Sequence, residues 1–226
     1  MAASPSALRP PRIPSVLDAL VDPEVDHDLE WERVTISGDL AGIEAEDLEI
    51  AESRLSAVRL TGARLDRLRL VDVVVEGCEL SGAMLDEANL LRVELRDCRL
   101  AGVVLTRAKL RDVRFVDCKL DEASLRMAVG ERVAFEGCSL RSADLYAAKL
   151  AGTRFLSCDL TGLECSQADL AGARLQGSTL AELRGAAALT RVSIDSSQVV
   201  ALALALFGAL GITIDDGDDD DDDDRR

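Results

Sequence analysis

The chain has 226 residues, 48% of them apolar and only 3% aromatic, with one His, one Trp and one Tyr. That apolar content supports one core of ordinary size, and the scarcity of imidazole leaves any general acid–base chemistry to carboxylates or lysines. The net charge of −16 divides as −4 over residues 1–36, −5 over 37–190 and −7 over 191–226, so the acidity lies mostly at the ends.

The opening stretch, MAASPSALRPPRIPSV, carries Arg9, Arg12 and four prolines but no apolar run of the secretory kind. No later segment reaches about 18 consecutive apolar residues, so neither a transmembrane helix nor membrane association is expected. The expected location is cytoplasmic. Residues 1–33 read as a flexible or capping segment, with 12–33 able to dock as a short piece ending at Trp31.

Residues 34–194 follow a period of five. Of the 29 positions taken every fifth residue from Leu40 to Leu180, 26 are Leu, Ile, Val or Phe, the exceptions being Ala45, Gly130 and Cys165. Two residues earlier in each pentad, from Gly38 to Ser178, no position is charged. Such a period scatters around a helix axis and flips face along a straight strand. It fits a short extended piece, whose two apolar residues point the same way, followed by a corner. The number of sides comes from a second period. Phe115, Phe135 and Phe155 recur every 20 residues, as do Cys78, Cys98, Cys118, Cys138 and Cys158. Four pentads therefore close one coil, and about eight coils at roughly 4.8 Å each give a rod on the order of 40 Å long. The register slips by one residue between Ile36 and Leu40, and again before Leu189 and Ile194, where the regular coil is expected to meet its caps.

Behind the repeat, Asp195, Ser196 or Ser197 is a helix N-cap candidate, and Gly211 a stop. The intervening SQVVALALALFGAL predicts an apolar helix of about 14 residues, and residues 195–214 read as that helix with a short strand. Such a helix should cover the open end of the core and still not leave its other faces in water. Either GITI and the last coil wrap it, or helices from two chains pair into a homodimer. The final residues 215–226, rich in Asp, are expected to be disordered by charge repulsion.

The segments ADLYA, ANLLR, ADLAG and ASLRM resemble the A-(D/N)-L-x-x unit of pentapeptide repeat proteins. The resemblance covers about 160 residues. It implies an all-β solenoid, a right-handed four-sided β-helix, here with a C-terminal capping α-helix. Arg, Lys and Glu replace the usual Asp or Asn in VRF, CKL and VEL. Quinolone-resistance members of the family imply two further things: dimerisation through a C-terminal helix, and DNA mimicry directed at a type II topoisomerase, gyrase.

The cysteine ladder is the first candidate for chemistry. Its members face inward in a parallel column, whereas zinc needs four converging ligands and a disulfide needs a torsion that parallel side chains do not supply. They read as small buried fillers, reduced in the cytosol. Gly130 reads as a dent filled by Met127 or Val129. His27 stands alone in an acidic segment, and no phosphate-binding glycine loop is present. No catalytic residue, cofactor site or metal site is predicted, and the chain does not read as an enzyme. On the surface, residues 52–70 carry a net +3, 71–90 a net −5 and 92–119 a net +4, with pairs such as Glu94 and Arg114 sharing a column. The belts are too mixed for a convincing DNA mimic. The expected function is a non-catalytic protein-interaction scaffold with an unidentified protein partner and no direct nucleic-acid binding.

Overall fold

The computed structural model describes residues 7–213. The Asp-rich tail predicted at 215–226 lies outside the described residues, as does Ile214.

The repeat builds a parallel β-solenoid of about seven turns. Its strands are β1 (Asp18–Val21), β2 (Glu30–Glu32), β3 (Val34–Asp39), β4 (Glu44–Glu46), β5 (Glu49–Arg59), β6 (Arg64–Asp66), β7 (Arg69–Glu76), β8 (Asn89–Arg96), β9 (Lys109–Val116), β10 (Val129–Glu136) and β11 (Arg154–Leu156). One helix, α1 (Val199–Leu210), follows. The main sheet runs β1-β3-β5-β7-β8-β9-β10-β11, with β2 also on β5 and a separate β4–β6 pair. From β7 to β10 every strand pairs with the residue 20 positions on, as in Leu70 with Leu90 and Leu95 with Phe115. Single bridges continue the same spacing on the other sides, for example Glu79 to Arg99 to Lys119. The turns number about seven where eight were expected, and at both ends the step shortens to 19 residues, Thr35 onto Arg54 and Arg174 onto Ser193. The slip seen in the sequence near Ile36 coincides with a register shift between Ile36 and Gly38.

The corners have one cause. Every fifth residue from Gly42 to Glu182 has positive φ: 19 non-glycines, such as Arg67 and Met127, and 10 glycines. A single left-handed residue redirects the chain, so that the next extended piece again points its apolar pair inward. At several corners the turn is closed by a hydrogen bond, as from Ala63 N–H to the Leu60 carbonyl at 3.1 Å, with Gly62 in the third turn position.

Inside, leucine columns and a phenylalanine stack fill the coil. Phe115 and Phe135 lie 4.7 Å apart between ring centres, and Phe135 and Phe155 lie 5.1 Å apart, both nearly parallel. The space left among the leucines amounts to about 40 Å³, apolar and therefore dry. Gly130 departs from expectation. Its place is taken by Leu150 and Val133, whose methyls would sit 2.5 and 2.8 Å from an added Cβ. Met127 and Val129 are exposed, because one is the left-handed corner residue and the other points outward.

The ends are closed differently. At the front, β1 lies on β3 and β2 on β5, with Trp31 beside Ile50. At the back, Asp195 and Gln198 form a reciprocal capping box around a short turn, Ser196–Gln198, that leads into α1. Buried Gln198 also donates its side-chain amide to the carbonyls of Leu175 (2.5 Å) and Ser178 (2.6 Å), which the last coil would otherwise leave open. Gly211 ends α1 with positive φ. Ile212 donates to the Phe207 carbonyl at 2.8 Å, so it closes the helix and does not enter a strand.

Candidate interaction surface

The five column cysteines and Cys165 are all buried and unbridged. Each column thiol turns to backbone carbonyls: Cys118 Sγ to Val116 (3.3 Å) and Leu95 (3.5 Å), Cys158 Sγ to Leu156 and Phe135 (both 3.4 Å). Ser178, next in the column, does the same with its hydroxyl, donating to the Phe155 carbonyl at 3.0 Å. The side chain wanted here is thus a small donor, a role that spacing alone does not disclose. Burial pushes the Cys165 thiol up to about 11, and contacts with the Cys138 and Cys98 thiols together with burial hold Cys118 protonated. Held protonated in this way, Cys118 and Cys165 are poor nucleophiles and poor metal ligands. Among the described residues no three His, Cys, Asp or Glu side chains converge as metal ligands would. His27 has a local structural task, its Nδ1 accepting the Glu46 N–H at 3.1 Å.

Outside, the coil spacing turns opposite charges into ladders. Arg67 grips Asp47 through Nε at 2.8 Å and Nη2 at 2.7 Å, Arg107 meets Glu87 at 3.0 Å, and Arg126 reaches Asp144 at 2.7 Å while lying over the Tyr146 ring. Glu94 and Arg114 do share a column and pair at 3.3 Å; Arg114 also pairs with Glu136. Most arginines of the two basic belts are engaged in this way. Such exposed pairs contribute little to stability, because water and salt screen them.

One corner differs from the others. Its residues Asp72, Arg92, Asp112 and Arg132 stack 20 apart with alternating charge. Asp72 and Asp112 are 6% and 1% exposed, whereas nearly every other corner is open to solvent. Arg92 holds Asp72 with its Nε at 2.6 Å, and Arg132 holds both oxygens of Asp112, at 2.6 and 2.8 Å. The Arg132 guanidinium, opposed by burial, keeps the Asp112 carboxyl below the usual carboxylate range; for Asp72, burial raises the carboxyl but Arg92 and a backbone N–H outweigh it.

The cover is the N-terminal arm. Arg9 N–H donates to Asp112 Oδ1 and Arg12 N–H to Asp72 Oδ1, both at 3.0 Å and across 103 and 60 residues of sequence. The arm therefore runs along the side of the rod, against the direction in which the coils advance. On the adjoining face the outward residues Val74, Glu94 and Ala134 are buried. There Ala7, Leu8, Pro10 and Pro11 face Val93, Glu94, Arg114, Glu136 and Arg154 across a cavity of about 430 Å³. Arg114 Nε is buried there without a hydrogen-bond partner.

A family profile for the pentapeptide repeat region matches residues 48–125, 68–145 and 113–184, together more than half of the chain. The chain belongs to the pentapeptide repeat family. Three solved structures match over most of the chain. Full-length QnrB1, a plasmid-mediated fluoroquinolone resistance protein, is 22% identical over 87% of this chain and 98% of its own, with a TM-score of 0.38. HetL, a pentapeptide repeat protein involved in heterocyst differentiation regulation from the cyanobacterium Nostoc sp. strain PCC 7120, is 20% identical over 77% of this chain and 86% of its own, with a TM-score of 0.26. Rfr23 from the cyanobacterium Cyanothece 51142 is 17% identical over 76% and 88%, with a TM-score of 0.16. No curated protein sequence matches.

Among the described residues, this pentapeptide repeat protein also exposes an apolar surface on α1. Ala201, Leu202 and Ala205 of α1 pack towards the core, while Val200, Leu204 and Leu210 are 70%, 54% and 67% exposed. α1 has no charged side chain, and among the described residues no helix is long and apolar enough to cross a membrane. What the described residues offer is contact area on stacked faces around an apolar interior.

Proposed function

We propose that this pentapeptide repeat protein is a non-catalytic scaffold that binds another protein through its outer faces, and that it works in the cytoplasm. The observation that carries this reading is the division of the molecule. Every inward column is filled with apolar side chains or satisfied donors, and the outside holds rigid charged ladders at coil spacing. Six buried free thiols agree with a reducing compartment. The bare face of α1 supports pairing of two chains through that helix, since Val200, Leu204 and Leu210 would otherwise stand in water.

Affinity capture from the native cell with the tagged full-length protein tests the scaffold reading. A specific protein should be retained, and recovery should drop several-fold with Arg107→Glu, which reverses an exposed rung beside Glu87. Failure of any protein to be retained above the tag-only control would remove the reading. Mimicry of DNA at gyrase is the weaker reading, because arginines along the rod interrupt the acids that would imitate phosphates. Inhibition of gyrase supercoiling at micromolar protein would revive it.

A further inference from the structure

The arm and the covered corner share one length. Arg9 and Arg12 are three residues apart, and the carboxylates they reach, Asp112 and Asp72, are two coils apart. Two coils span about 9.6 Å at the usual strand spacing. Three residues of polyproline II span about 9.3 Å. The arm sequence, Leu8–Arg9–Pro10–Pro11–Arg12–Ile13–Pro14, favours that conformation: proline fixes φ, and residues that precede proline are pushed to extended backbone. The donors match as well. Pro10 and Pro11 have no N–H and lie between the two acidic rungs, whereas Arg9 and Arg12, which do have one, meet the acceptors. Arg92 and Arg132 occupy the alternate rungs and fix the carboxylates in place.

We propose that this corner is a recognition track for proline-rich extended segments of the form Arg-Pro-Pro-Arg. The chain's own arm occupies it in cis, and a like segment of a partner protein takes the arm's place. Recognition lies in two backbone N–H groups at a three-residue spacing, set against carboxylates at a two-coil spacing. The two arginine side chains add favourable charge near Asp72 and Asp112. A tethered arm competes at millimolar effective concentration, so the native protein is self-occluded and a partner must bring a better or a second contact. The proposal rests on the scaffold reading and names a face and a partner chemistry for it. It is tested on purified protein, so it can fail while capture succeeds through another face.

Two measurements on the full chain decide it. The first is residue-resolved amide hydrogen exchange. The Arg9 and Arg12 amides should exchange slowly in the native protein and at unprotected rates when one glycine is inserted between Pro11 and Arg12, which breaks the spacing. The second is anisotropy of a labelled peptide of residues 7–16, titrated against the native protein and against Arg9→Pro/Arg12→Pro, which keeps the arm extended but removes both donors. The peptide should bind the double variant at least ten-fold more tightly than the native chain. A peptide carrying the same two prolines should bind neither. Arm amides that stay protected after the insertion would overturn the proposal, as would equal or absent peptide binding to both proteins while circular dichroism shows each folded.

Discussion

The left-handed corner is the residue-level device on which the solenoid depends. A non-glycine in that conformation is disfavoured by about 1–2 kcal/mol, and 19 of the corners accept it. Corner glycines should therefore be sensitive even where space is open. Gly102 has nothing within 4 Å of an added Cβ, yet Gly102→Ala should lower stability by about 1 kcal/mol in urea denaturation. The reverse change, Ala147→Gly, should raise it by about 0.5 kcal/mol once the extra flexibility of the unfolded chain is counted. The ladder makes a prediction with a sign. Arg132 depresses the Asp112 carboxyl in the folded state, so its contribution is complete above the unfolded value of about 3.9 and is lost as pH falls through the lower folded value. Asp112→Asn should cost about 3 kcal/mol at neutral pH, and the gap between variant and native protein should close in acid. The apolar period and the inward cysteines were legible in the sequence because each residue repeats the same task. Asp195 was legible as a cap candidate, but Gln198 was not, because its grip on the carbonyls of Leu175 and Ser178 depends on where the last coil stops.

Among elements, the columns carry the packing and the two ends carry the individuality. Phe135 lies between two parallel rings, so Phe135→Ala should cost about 3–5 kcal/mol. Phe135→Leu should cost much less, since Leu95 and Leu175 fill the same column without distortion. Cys118→Ser should be tolerated within about 1 kcal/mol, measured by thermal unfolding, because Ser178 already serves that column with a hydroxyl. The arm escapes sequence reasoning for a physical reason. Its anchoring groups are backbone N–H donors whose acceptors lie 60 and 103 residues away, and neither composition nor periodicity records them. The readable trace is the Arg-Pro-Pro-Arg spacing itself, which gains meaning once the coil rise is known. The filling of Gly130 was misread because Met127 was not recognised as a corner residue, whose conformation turns it outward.

For the whole molecule, the 20-residue register ties inside to outside. The spacing that stacks Phe on Phe also sets Arg107 against Glu87 and Arg132 against Asp112, so a rigid interior presents charges at fixed intervals. On the scaffold proposal, such a rod would change partners through its outward residues, with the inward residues answering for stability. Function should accordingly separate by side of the wall. The most direct measurement is parallel affinity capture with four full-length forms: native, Cys118→Ser inside, Arg107→Glu outside, and the arm variant Arg9→Pro/Arg12→Pro, each first verified as folded. The account predicts partner recovery equal to native for Cys118→Ser, several-fold lower for Arg107→Glu, and higher when the arm is released. Loss of the partner with Cys118→Ser, alongside unchanged recovery for both outer variants, would contradict it.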